Sequence, residues 1–180
     1  MNIWFTSDWH LGHANIIKHC GRPFKDLNEM NETIIENYNS LVKPDDVVYN
    51  LGDLFFKTSY WYCHNLLGRF NGKIRVVVGN HDKKGRLDNF VKDGLIQSVN
   101  DVLGMDIDKQ YIWLSHYPHR SWNRSFHGSL HFHGHVHSRS NVCVYRNSID
   151  VGVDAWKFKP VNFDEIVEKV KLFDNERTIW

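Results

Sequence analysis

In this chain, apolar runs long enough to make buried β-strands end, one after another, on short polar motifs. Ile3-Trp4-Phe5 leads into Asp8-Trp9-His10, and Val47 to Leu51 leads into Gly52-Asp53. Lys73 to Val78 opens into Gly79-Asn80-His81-Asp82. Tyr111 to Leu114 opens into Ser115-His116, and Leu130 to Phe132 into Gly134-His135-Val136-His137. Each motif supplies carboxylate, amide or imidazole groups directly after a strand. A single Asp-x-His or Gly-Asp arises by chance in many chains, but the ordered set does not. Continuous Val-rich runs followed by helices also predict a largely parallel sheet buried on both faces.

Periodicity fills in the connections. Met30, Ile34, Tyr38 and Leu41 recur at helical spacing, which predicts an amphipathic helix over Leu27–Leu41, stopped by Lys43-Pro44-Asp45-Asp46. A second helix is expected from Tyr60 to Phe70, ended by Asn71-Gly72. The later half carries short runs separated by turn residues: 95–99, 104–107, 111–114, 130–132, 142–145 and 148–151. These predict a second, mixed or antiparallel sheet. A closing helix is expected over Val161–Phe173, with Asn162 and Glu165 spaced as a capping box.

Composition narrows the class. The 180 residues suit one domain spanning 1–180, and 42% hydrophobic with 24% charged residues is the balance of a globular protein. A net charge of +1 offers no whole-protein field for a long polyanion. Cys20, Cys63 and Cys143 form no C-x-x-C pair, so reduced thiols in a cytoplasmic protein are the simplest expectation. The amino terminus enters a strand at once, which leaves no room for a signal peptide, and no apolar run approaches the ~20 residues of a membrane helix. Histidine is the outlier, with seven of twelve between His116 and His137. A core has little use for so many imidazoles, whereas a metal site does.

Asp8 and His10 lie two apart, so on an extended segment both side chains face one way and can bite one cation. Asp53 offers a carboxylate able to bridge two cations, and Asn80 a neutral amide oxygen. His135 and His137 repeat the two-residue spacing. The order Asp-x-His, Gly-Asp, Gly-Asn-His-Asp, His, Gly-His-x-His, from Asp8 to His137, resembles the calcineurin-like metallophosphoesterase superfamily, in the form of a small bacterial or phage enzyme.

The resemblance implies a four-layer α-β-β-α sandwich of two mixed β-sheets flanked by helices, an α+β (α/β) fold. It assigns Asp8, His10, Asp53 and His137 to one metal ion, and Asp53, Asn80, His116 and His135 to a second. Mixed imidazole and carboxylate donors suit Mn, Fe, Zn, Ni or Co better than Ca or Mg. Two such divalent ions about 3.5–4 Å apart would activate water and clamp a phosphoryl group for in-line displacement. His81 has the family's place for a catalytic histidine that donates to a phosphoryl oxygen or protonates the leaving alcohol. Asp82 either orients that imidazole or begins the next turn. No protein nucleophile is needed, so Ser115 is expected to be structural.

The remaining polar residues carry weaker signals. Arg120, four residues beyond His116, either grips a phosphate or forms a surface salt bridge. Arg22 is placed near the mouth of the site as a second substrate contact. Lys83, Lys84 and Arg86 read as a solvated basic patch. Trp9, Trp122 and Trp156 either stack a base or pack in the core. His133 either reaches the metals or packs, His131 is unrelated to metal, and His13, His19 and His64 take surface or helix roles.

The function expected is metal-dependent hydrolysis of a small, nucleotide-sized phosphoester, as a phosphatase or phosphodiesterase. Long nucleic acid as a partner is not favoured, and no membrane partner is expected. The alternatives are a nuclease acting on DNA or RNA ends and a non-catalytic metal-binding scaffold.

Overall fold

A computed structural model describes residues 1–138 and 147–176, with the backbone alone over 172–176. The strand expected at 142–145, and Cys143 with it, lies outside the described residues. Strands β1 (Ile3–Thr6), β2 (Val47–Asn50), β3 (Lys73–Val77) and β4 (Ser98–Asn100) form a parallel array. Strand β9 (Val161–Asn162) closes it antiparallel to β1, so the order is β4-β3-β2-β1-β9. The second sheet runs β5 (Val102–Ile107), β6 (Gln110–Ser115), β7 (Leu130–His133) and β8 (Ser148–Asp150). There β5 and β6 are antiparallel, and the other pairs are parallel.

Alternation within the strands separates two cores. Trp4, Val48, Ile74 and Val76 face the helices α1 (Ala14–Cys20), α2 (Leu27–Leu41), α3 (Tyr60–Leu67) and α4 (Lys84–Lys92). Phe5, Tyr49 and Val77, one residue out of step, face Ile112, Leu114 and Phe132 of the second sheet. Phe5 and Phe132 meet edge to face at 4.9 Å, so the sheets touch directly. Helix α5 (Phe163–Glu176) adds Ile166 and Val170 to this second core. The architecture is thus the expected one, two mixed sheets flanked by helices.

Local chemistry explains the boundaries. Asp26 caps α2 by accepting the Glu29 N–H, while the Glu29 carboxylate accepts the Lys25 N–H. Helix α3 stops at Gly68 rather than Phe70, whose ring leaves the helix to stack on Trp9 at 4.3 Å. The run 95–99 does not open the second sheet. Ile96 turns into the helix-side core, the Gln97 N–H donates to the Ile74 carbonyl, and Ser98–Asn100 extends the first sheet beside β3. At the last helix, Val161-Asn162 is strand; Asn162 Oδ1 accepts the Glu165 N–H as expected, while the Glu165 carboxylate accepts from the Asn162 side-chain amide rather than from its backbone N–H. Among the described residues no helix is long and apolar enough to cross a membrane.

Candidate metal centre

The loops that follow β1, β2, β3, β6 and β7 converge at one end of the paired sheets. Backbone hydrogen bonds zip the first two together, Asp8 N–H to Gly52 carbonyl and His10 N–H to Asp53 carbonyl, each 2.9 Å. Asp8 and His10 do not converge by alternation on an extended segment, as their spacing suggested. Each has a left-handed backbone, φ 59° and 50°, and Asp53 shares it at 57°. The same correction applies to the histidine series. Strand β7 ends at His133, and His135 and His137 lie in a turn with φ 71° and 50°. Turning the backbone left-handed aims these side chains inward from loops that would otherwise point them apart.

The donor atoms crowd one space. His10 Nε2 lies 3.5 Å from Asp53 Oδ2 and 3.9 Å from Asp8 Oδ1. His116 Nε2 is also 3.5 Å from Asp53 Oδ2, and 2.9 Å from Asn80 Oδ1. His137 Nε2 stands 3.9 Å from Asp8 Oδ1. His135 sets its ring 5.2 Å from that of His116, and its backbone N–H donates to Asp8 Oδ2. Close approach of the loops demands glycine. A Cβ on Gly79 would strike Asp53, and one on Gly134 would strike Ser7 and Asp8.

Electrostatics shows what such a cluster lacks. Asp8 Oδ1 and both ring nitrogens of His10 are buried without a hydrogen-bond partner. Leaving such groups unmet costs about 1–3 kcal/mol each. Burial pushes the Asp8 carboxyl up to about 7 and the His10 imidazole down to about 2. Burial would raise Asp53 too, but hydrogen bonds from His116 and from the His81 N–H outweigh it and hold Asp53 at about 2. Buried carboxylate and imidazole lone pairs with no hydrogen-bond partner are what a bound cation would satisfy. The donor set therefore fits divalent metal.

Supports behind the donors went unread in the sequence. His137 Nδ1 meets Asp154 Oδ2 at 2.8 Å, and Asp154 also pairs with Arg22. Burial lowers His137, but the Asp154 hydrogen bond, with Cys20 and Asp8 near, outweighs it and raises the imidazole to about 10. Asp150 braces the turn by accepting the Ser138 and Gly152 N–H groups. A readable signal existed, since Ser148-Ile149-Asp150 is another short run ending on aspartate. Asp154→Ala would free His137 and strand the buried Arg22 guanidinium. Calorimetric titration with Mn should then show affinity weakened roughly 10–100-fold. Denaturant unfolding should show a loss of about 3–5 kcal/mol.

Several expected contacts take other places. Arg22 is not at the mouth: its guanidinium is buried, and its donors reach Asp154, Met30 and the carbonyls of Asp8 and Trp9. No donor is left for substrate. Asp82 does not touch the His81 ring either. Its carboxylate accepts the N–H groups of Asp53, Leu54 and Gly79, pinning the second motif loop to the third. His81 faces the cluster, Nε2 3.9 Å from Asp53 Oδ2. Arg120 is exposed and pairs with no described acidic residue.

Trp9 is core, packed against Tyr38 and Phe70. Trp122 donates to Ser129, and Trp156 to the Asp150 carbonyl. His131 sits between the Ser115 and Ser148 hydroxyls, and His133 bonds the Gly134 carbonyl. His13 takes the N-cap position of α1, a helix role as expected, and its ring stacks on Phe56 at 3.8 Å. Lys84 pairs with Asp101.

The chain is similar to other proteins along nearly their whole length. The chain is 36% identical over 184 residues to the protein MJ1445 of Methanocaldococcus jannaschii, covering 98% of this chain and 96% of that one. It is 27% identical over 205 residues to the gene 66 protein of Mycobacterium phage L5, covering 99% and 98%. The solved structure of AQ665 from Aquifex aeolicus, a protein of unknown function, superposes with a TM-score of 0.75 at 26% identity over 93% of this chain and 98% of that one. A match to the calcineurin-like phosphoesterase model over residues 1–162 takes in every described strand and every motif loop, and the chain belongs to that family.

Proposed function

We propose that this protein hydrolyses a small, nucleotide-sized phosphoester at a dinuclear centre. One observation carries the reading. Asp8 Oδ1 and His10 Nε2, buried and unpartnered, share one space with Asp53 Oδ2. Asp8, His10, Asp53 and His137 form one ligand set, and Asp53, Asn80, His116 and His135 the other. Two divalent cations of the Mn, Fe, Zn, Ni or Co kind would polarise the phosphoryl oxygens and make water acidic enough to attack at neutral pH.

The chain's own residues do the rest. Asp53 belongs to both sets, and its Oδ1 takes the His81 backbone N–H at 2.8 Å, which fixes where the His81 ring stands. That ring carries the proton for the leaving oxygen. Water adds to phosphorus, the bond to the leaving oxygen breaks, and His81 supplies the proton that oxygen takes up. Asn80, His81 and His135 are exposed while Asp8, His10, Asp53 and His116 are buried, so substrate approaches from the side of the first three. With a net charge of +1, a short substrate suits the protein better than a long polyanion.

Purified protein loaded with Mn, Ni, Zn or Mg should hydrolyse bis(4-nitrophenyl) phosphate in a metal-dependent way. A monoester, cyclic nucleotides and a labelled oligonucleotide complete the panel. Metal-loaded protein inert on all of them would leave a binding scaffold. Oligonucleotide cleavage with a steep salt dependence would make it a nuclease.

A further inference from the structure

Beside the metal centre, and lined in part by His81, lies a pocket of about 230 Å³ that the proposed chemistry does not use. Phe55, Leu87 and Phe90, all buried, form its floor, and Phe56 stands as a wall. Asn80 and His81 belong to this pocket and to the motif loops at once, so the two spaces are continuous. Lys57, Lys83 and Arg86 rim it. Arg86 is anchored, its guanidinium donating to the Thr58 carbonyl at 2.9 Å. Lys57 and Lys83 are exposed, and neither has an ion-pair partner among the described residues. Asp82, the one acid in the lining, is occupied by the three backbone N–H groups it accepts.

An apolar floor under unpaired cations selects a particular guest. A volume below the roughly 300–1,000 Å³ of pockets that hold whole drug-sized ligands suits one ring system rather than two. One face of Phe56 is covered by His13 at 3.8 Å and Lys57 Nζ lies 5.1 Å from the ring centroid, so the apolar space open to a planar ring is the floor of Phe55, Leu87 and Phe90. Lys57 holds a left-handed backbone, φ 46°, a conformation found rarely outside turns and functional sites. His81 lines this pocket and its Nε2 also stands 3.9 Å from Asp53 Oδ2, so a group attached to a phosphoryl at the cluster reaches into the pocket past Asn80 and His81. We infer that the pocket is the leaving-group subsite, built for a nucleoside that carries a further phosphate of its own.

This inference rests on the proposed hydrolysis and deepens it. The substrate is a phosphodiester with the leaving nucleotide's base on the apolar floor and its second phosphate between Lys57 and Lys83. Hydrolysis consumes one water, whose oxygen stays on the retained phosphate. The bond to the leaving nucleoside oxygen breaks, and that oxygen ends as a hydroxyl. A free dinucleotide and the end of a nucleic acid present the same chemistry.

The test compares three thymidine dinucleotides, bearing no terminal phosphate, a 5′ phosphate or a 3′ phosphate, on the Mn-loaded enzyme. One phosphorylated form should exceed the bare dinucleotide in kcat/KM by roughly 10- to 100-fold, the range of one or two charge-assisted hydrogen bonds. In Lys57→Ala/Lys83→Ala that ratio should fall to near one. Calorimetric titration with thymidine 3′,5′-bisphosphate should show a matching loss of affinity. A ratio near one in the wild type, or a ratio the double variant retains, overturns the subsite. Hydrolysis of bis(4-nitrophenyl) phosphate, run alongside, separates the two failures, since its absence with every metal defeats the hydrolase reading itself. An oligonucleotide cleaved faster than the dinucleotides, with the same dependence on both lysines, upholds the subsite and names a nucleic-acid end as its source.

Discussion

His81→Ala should retain both metal ions and slow turnover by roughly 10²–10⁴-fold, the usual worth of a positioned general acid. The variant is informative because the wild-type contact with Asp53 runs through the His81 backbone N–H, which alanine keeps. Removing the ring therefore leaves the carboxylate's hydrogen bond in place. The slowing should shrink for a nitrophenolate leaving group, which departs without needing a proton. His81 Nε2 also lies close enough to His10 and Asp53 to join a ligand set with them. Elemental analysis decides between the roles, since metal lost from His81→Ala would make the residue a ligand or a support.

Asp53→Asn should act on both metals at once. The amide keeps the side chain's shape and an oxygen for the His81 N–H, so the fold should survive while the shared charge disappears. Manganese per chain should fall from near two equivalents to below one. kcat/KM should fall by roughly 10³-fold or more, given that one stabilising contact at developing charge is commonly worth 10²–10³. A wild type that never exceeds one equivalent, together with Asp53→Asn unchanged from it, would sink the dinuclear model.

Much of this was legible in the sequence because the strands carry their own punctuation. Val47 to Leu51 and Lys73 to Val78 are continuous apolar or near-apolar runs that stop on glycine, and both became parallel strands of the first sheet. The motif loops were legible for the same reason. Their geometry was not, because a two-residue spacing says nothing of whether the backbone between is extended. Helix α1 escaped notice with seven residues and no side-chain cap. Helix α4 did too: Leu87 and Phe90 are at helical spacing, but lysine, arginine and aspartate surround them and Lys83 makes no cap. The Arg22–Asp154 pair joins residues 132 positions apart, and nothing local to either announces the other.

The left-handed backbone at Asp8, His10, Asp53, His135 and His137 sets evolution of this fold against its own chemistry. For non-glycine residues this conformation costs upwards of about 1 kcal/mol, and aspartate and histidine bear it better than most. Summed over the five, that is roughly 5 kcal/mol, of the same order as the whole margin by which a domain stays folded. Selection for folding alone would drift these positions toward glycine and yield sturdy, inert descendants. Glycine in place of any one ligand should accordingly be gentler on the scaffold than alanine. Metal uptake would then be part of what keeps the working sequence viable, since ions held by the folded chain alone would return, as binding energy, what the ligand loops withhold from stability.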